Sequence, residues 1–176
     1  MAVPGKWGLA DMIDLSTLTT VHTAISLIAI VAGFVLLPGL LRGQVARTWT
    51  GLFVWTAVAT SATGFLFPFN GFLPSHGVGI LALATLAPTV AALHVFRLDG
   101  AWHRIYAAGA ALNLYLLVFV AIAQAFLKVP ALNRLAPTGS EPAFSIAQVV
   151  ALAVFAALGW RAVRAVRPPA IRPIRA

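Results

Sequence analysis

The side chains able to carry acid–base or metal chemistry are few. The chain of 176 residues holds four histidines, four acids and no cysteine. Without cysteine there are no disulfides, thiolate metal sites, iron–sulfur clusters or cysteine nucleophiles. The acids are Asp11, Asp14, Asp99 and Glu141, and no two stand as a paired carboxylate. No HExxH, GxSxG or glycine-rich phosphate loop occurs. No catalytic residue is therefore assigned, and the balance leans away from an enzyme.

The imidazoles are left. His22 and His76 fall at the ends of hydrophobic runs that share one side, with Asp14 and Glu141 on the same side. A neutral imidazole can ligate haem iron or a metal, and a carboxylate beside it can orient the ring. His94 and His103 lie on the opposite side, nine residues apart across a tight turn, too close to clamp a flat porphyrin between them. The plainer reading of His22 and His76 is an interfacial histidine touching water and headgroups. For His94 the plainer reading is a group favoured by the helix C-terminus. The leading expectation is no cofactor. The alternative is a b-type haem or a quinone held through His22, His76 or His94, and the identity of any metal stays open.

Asn113, Gln124 and Gln148 are the deeper polar side chains. Their default use is interhelical hydrogen bonding, worth roughly 0.6–2 kcal/mol in a membrane interior. The same donors suit a quinone carbonyl, although the spacing does not demand one.

The elements that must position these groups are membrane helices. Hydrophobic residues make up 61% of the chain and charged residues 9%, against roughly 25% charged in a soluble domain. Mean hydropathy is +0.95. A membrane helix needs about 20 mostly apolar residues. Five runs qualify: Val21 to Leu41, Trp49 to Phe67, Gly77 to Phe96, Arg104 to Phe126, and Pro142 or Phe144 to Trp160. None carries a charge in its central part, and none alternates as a β-barrel strand would. The expected fold is all-α, an integral membrane bundle of five transmembrane helices over 21–166. An outer segment, 1–20, precedes it and a basic cytoplasmic tail, 167–176, follows. Residues 1–20 lack the long apolar core of a cleavable signal peptide, and 7–18 read as a short interfacial helix.

Punctuation fits the runs. Gly39, Arg42 and Gly43 end the first helix, Pro68, Asn70, Gly71 and Pro74 make a tight loop, and Leu98-Asp99-Gly100 makes a turn. Ser140 is expected to cap the last helix, with Glu141 and Pro142 in its first turn. Pro88 is expected to kink the third. Small residues allow close helix approach: Thr60 with Gly64, the run from Ala107 through Gly109 to Ala111, Ala147 with Ala151, and Ala153 with Ala157.

Charge sets the orientation. With five spans, one side carries nine basic residues and Asp99, and the other carries three basic and three acidic residues. Arginine-rich loops stay cytoplasmic, which puts the N-terminus outside and the C-terminus in the cytoplasm of a bacterial inner membrane. Trp49, Trp102 and Trp160 sit at inner helix ends as interfacial anchors. Arg161, Arg164 and Arg167 form a stripe suited to anionic headgroups. The net charge of +8 follows this topology, so nucleic acid is not an expected partner. The expected partners are the bilayer and other membrane-protein subunits.

Two stretches carry a resemblance. One runs Gly64-Phe-Leu-Phe-Pro-Phe-Asn-Gly-Phe-Leu-Pro-Ser-His-Gly-Val-Gly-Ile80. The other is Ala125-Phe-Leu-Lys-Val-Pro-Ala-Leu-Asn-Arg-Leu-Ala-Pro-Thr-Gly-Ser-Glu-Pro142, continuing to about Phe144 and Gln148. From Val21 to about Arg164 the chain resembles a family of small, uncharacterised bacterial multipass inner-membrane proteins. The resemblance transfers no catalytic residue. It implies that the two outer loops, rich in Pro, Phe and Gly, form the distinctive surface where a partner or ligand is met. The expected function is a non-catalytic accessory or assembly component of a larger membrane complex. The alternatives are a haem b- or quinone-binding redox protein and a small-solute transporter.

Overall fold

The computed structural model describes residues 9–67 and 74–166, with side chains from 15 and from 76 onward in the two stretches. Six helices follow in chain order: α1 (Leu9–Leu40), α2 (Arg47–Gly64), α3 (Pro74–His94), α4 (Trp102–Lys128), the single-turn α5 (Pro130–Asn133) and α6 (Pro142–Ala165). No strand occurs among the described residues. Four segments are long and apolar enough to cross a membrane: Leu15–Leu40, His76–His94, Trp102–Lys128 and Pro142–Ala165.

The fifth long helix, α2, falls outside that group for a compositional reason. It has 18 residues, begins on Arg47 and carries Thr48, Thr50, Thr56, Thr60 and Thr63. Its hydroxyls are partly neutralised within the helix. Thr56 Oγ1 donates to the Leu52 carbonyl at 2.6 Å and Thr63 Oγ1 to the Ala59 carbonyl at 2.7 Å, the back-bonding by which a helix tolerates threonine.

Helix α1 differs from its expectation. The sequence suggests a separate interfacial helix ending near residue 18, yet the described chain is one helix from Leu9 to Leu40. No Gly or Pro interrupts it before Gly33. Thr19 and Thr20 donate to the Leu15 and Ser16 carbonyls at 2.8 and 2.9 Å, so these polar residues extend the helix. At 1.5 Å per residue, 32 residues reach about 48 Å, well beyond a hydrocarbon core of about 30 Å. Helix α3 likewise runs through Pro88 to His94. The expectations at Trp7, Pro68, Asn70, Gly71 and Arg167 lie outside the described residues.

Helix α4 is the hub. It packs against α1, α2, α3, α5 and α6, while α2 bridges α1 and α3. Leu36, Phe53, Val54, Tyr106, Leu114 and Phe155 form the centre of the buried cluster. Three helices meet at Gly33, where an added Cβ would lie 2.5 Å from Leu114 Cδ1 and 2.9 Å from Phe53 Cε2. Gly43 adopts φ 68° and has no room for a Cβ against the Ala165 carbonyl. That contact sets the α1–α2 turn against the end of α6. In the α3–α4 turn, Arg97 and Leu98 both take positive φ, 48° and 63°, a conformation costing a non-glycine residue of order 1–3 kcal/mol. The Phe96 and Trp102 rings stack across this turn at 3.6 Å and 3°, and Leu98 packs on the core. Both contacts offset that cost.

The Ser140 cap is also corrected. Glu141 occupies the N-cap position of α6, with extended backbone and no side-chain cap bond, and Pro142 follows at the helix start. The Glu141 carboxylate turns back into the loop instead. Its Oε1 accepts from the Thr138 N–H at 3.0 Å and from the Thr138 hydroxyl at 2.9 Å, and its Oε2 accepts from the Ser140 N–H at 3.1 Å.

Candidate functional site

The end of the bundle holding the C-terminus of α2 gathers two of the sequence-selected histidines. His22 of α1 meets Thr63 of α2, Nδ1 to Oγ1 at 2.9 Å. The Thr63 hydroxyl proton goes to the Ala59 carbonyl, so Thr63 accepts here and His22 Nδ1 donates. The neutral ring is then the tautomer with Nε2 as its basic nitrogen. Phe67 meets the same ring edge-on, centroids 5.3 Å apart. His76, at the start of α3, is buried and lies 6.1 Å from the Phe65 ring. The segment just after α2 thus contributes one phenylalanine to each histidine.

Of the two carboxylates expected beside these rings, the Asp14 side chain lies outside the described residues. Glu141 is taken up by its own loop, because two backbone N–H groups and a hydroxyl lie closer along the chain than any imidazole. Those donors, the Thr138 N–H foremost, hold its carboxyl below the usual range. Among the described residues no three His, Asp or Glu side chains gather as a metal site.

His94 is exposed at the end of α3, with its ring 5.9 Å from Trp55 of α2. His103 sits half-buried in the first turn of α4. Neither joins His22 and His76, which occupy the other end.

Of the deeper polar residues, two link helices as expected. Asn113 is buried on α4 and donates to Thr85 Oγ1 of α3 at 3.1 Å and to the Gly109 carbonyl at 2.9 Å. Gln148 of α6 donates to the Phe119 carbonyl of α4 at 3.1 Å, while its Oε1 is buried without a partner. Gln124 lies exposed on α4. A third link was not foreseen: the Thr50 and Tyr106 hydroxyls meet at 2.8 Å in the buried interior between α2 and α4. Both lie within one turn of an arginine at a helix start, Thr50 after Arg47 and Tyr106 after Arg104, so the sequence did not set them apart from ordinary interfacial polar groups.

The α2 and α4 small-residue runs pack within the bundle, and the Ala153–Ala157 pair does not. Gly64 faces His22, whose Cε1 would lie 3.8 Å from an added Cβ, and Thr60 stands 3.5 Å from the Ser26 hydroxyl. The α2 pair therefore faces α1. Ala107, Ala110 and Ala111 are buried on α4. Ala153 and Ala157 are exposed on α6. Arg161 and Arg164 are exposed at the end of α6, and the Arg164 guanidinium lies 4.1 Å from the Trp160 ring centroid.

Between α4 and α6 runs an apolar groove of about 380 Å³, lined by Ala108, Ala111 and Tyr115 on one side and Ala156, Gly159 and Trp160 on the other. Comparison with known proteins finds no matching family model, curated protein or solved structure.

Proposed function

We propose that the chain is a non-catalytic integral protein of a bacterial inner membrane, an accessory or assembly subunit that docks a larger membrane complex through the outward face of α6. The observation that carries this reading is the poor burial of that helix. Only 11% of its apolar window is buried inside the chain, against 33%, 28% and 33% for the other three spans. Its outward face shows Ile146, Val150 and Val154 with the small residues Ala153 and Ala157 between them, a surface that lets another helix approach closely.

Five crossings complete the reading, with α2 as the second. At 18 residues it is about 27 Å long, near the thickness of the hydrocarbon. Thr60 and Thr63 turn toward Ser26 and His22 of α1, Thr50 is buried against Tyr106 of α4, and only Thr48, in the first turn, is exposed. Arg42, Arg47, Arg97, Arg104, Arg161 and Arg164 then share the cytoplasmic end, as basic loops do. The N-terminus lies outside and the C-terminus inside. With no acidic, basic or histidine side chain in the middle of any span, ion-coupled transport lacks its usual equipment.

The test is purification of the intact chain in a mild detergent, followed by mass spectrometry and an absorption spectrum. A second polypeptide in fixed ratio is expected, and it should be lost in Ala153→Phe. That change adds bulk on an exposed position and leaves insertion intact. The isolated polypeptide at every expression level would overturn the proposal. A Soret band or a stoichiometric extractable quinone would replace it with the redox reading through His22, His76 or His94.

A further inference from the structure

We propose that the groove between α4 and α6 is a seat for one anionic phospholipid, with an acyl chain lying along the groove and the phosphate held by Arg104 and Arg164. The inference rests on the membrane reading above and is independent of any partner subunit.

The floor of the groove is shaped for a chain-like ligand. Ala108, Ala111, Ala156 and Gly159 hold the side chains back, and an added Cβ at Gly159 would lie 3.5 Å from the Ala111 methyl. The groove, about 380 Å³, falls within the roughly 300–1,000 Å³ of ligand-holding clefts. Its walls are apolar along their length, with Tyr115 and Trp160 as the large flanking rings. Small residues alone would describe helix packing. Here they border an open groove with cationic groups at one mouth.

Register places those charges. Ala111 faces Gly159, the Tyr115 ring lies 6.0 Å from Phe155, and the Phe126 ring lies 5.5 Å from Phe144. Each step along α4 is thus matched by an equal step back along α6. Continued, this antiparallel register sets Arg104 level with Val166, two residues from Arg164. Arg104 precedes Ala108 by one helical turn, on the groove-lining face of α4. Arg164 reaches the same mouth from the other side, its guanidinium over the Trp160 ring that lines the groove. Both guanidiniums are exposed, and no acidic residue lies within one turn of either on its own helix. Two basic groups beside an apolar chain seat favour a phosphodiester headgroup of net negative charge over a zwitterionic one. Arg161 projects from α6 away from the groove, since it lies about 200° around the helix from Gly159 and about 160° from Val163, whereas Arg164 lies about 40° from Trp160.

The experiment is native mass spectrometry of the intact detergent-purified chain, titrated with phosphatidylglycerol or phosphatidylcholine of identical acyl chains. One retained phosphatidylglycerol is expected, favoured about tenfold or more over phosphatidylcholine. Arg104→Gln with Arg164→Gln should erase the preference, and Arg161→Gln should keep it. Ala156→Phe, at an exposed position on the groove wall, should lower retention of both lipids. Equal retention of the two lipids by the unaltered chain overturns the proposal, as does a preference that survives the double arginine change or disappears with Arg161→Gln. A neutral isoprenoid adduct indifferent to both arginines also overturns it. Failure of the membrane reading is separate and shows as release of the chain from vesicles in carbonate.

Discussion

Thr89 of α3 stands directly against the backbone of Gly109 on α4, in the space that a Cβ would need. Thr89 is fully buried and its hydroxyl donates to the Thr85 carbonyl at 2.7 Å, so it has little freedom to move aside. Gly109→Ala should therefore separate α3 from α4 and cost about 1–3 kcal/mol, the usual range for overpacking. Thermal unfolding in detergent reads the loss. Thr89→Ala in the same chain should restore most of it, because the colliding hydroxyl is gone. Additive losses in the double variant would show that the two residues do not share the clash.

The Thr50–Tyr106 pair predicts a second coupling. Tyr106→Phe leaves the Thr50 hydroxyl without its partner between α2 and α4, and a loss near 0.6–1.7 kcal/mol is expected for a hydrogen bond of this kind. Thr50→Val should lose a similar amount. The double variant should lose little more than either single one, since both remove the same bond. Full additivity by denaturant titration would assign the losses to packing.

These contacts mark the limit of what the sequence made legible. The apolar runs located all five long helices, because about 20 residues without charge is a requirement of length and solvent and leaves few alternatives. The small residues around Gly109 and Thr60 announced close approach. They did not name Thr89 or Ser26, because which faces meet depends on the rotation of each helix. The sequence suggests a break between the 7–18 segment and the first span, whereas α1 runs unbroken from Leu9, with Thr19 and Thr20 bonding back to carbonyls one turn earlier across the expected joint. Ser140 looked like the cap because its type favours that position. A carboxylate one residue later found three donors behind it, and competition of that kind is visible only in three dimensions. His22 and His76 were paired by depth alone, and the structure adds the α2 terminus with Phe65 and Phe67 beside them.

The Glu141 loop carries a pH prediction. Hydrogen bonds led by the Thr138 N–H hold the carboxyl below its ordinary value of 4.5. A carboxylate depressed in the folded state stabilises above its unfolded pKa, and the contribution disappears as pH falls through the lowered value. Hydrogen exchange at the Thr138 and Ser140 amides should therefore be steady from pH 7 to about 5, once corrected for the intrinsic rate. It should become less protected below about pH 4.5. Glu141→Gln should show the weaker protection already at pH 7. Protection unchanged across this window in the native chain would mean the carboxylate does not order the loop.

The crossing of α2 can be read with introduced thiols, because the chain has no cysteine of its own. Gln44, between α1 and α2, and Ala131, in α5, are both exposed. Three helices separate them: α2, α3 and α4. If all three cross, the two positions face opposite sides of the membrane. If α2 lies on one surface, only two crossings remain and the positions share a side. Ala131→Cys should react with a membrane-impermeant maleimide in intact cells whose outer membrane has been permeabilised. Gln44→Cys should react only after the inner membrane is opened. The proposed orientation, argued from the arginines at the Gln44 end, predicts this polarity as well as this separation. Reaction of both thiols from the same side would remove α2 from the set of spans. Opposite labelling with Gln44 outside would keep five crossings and reverse the orientation.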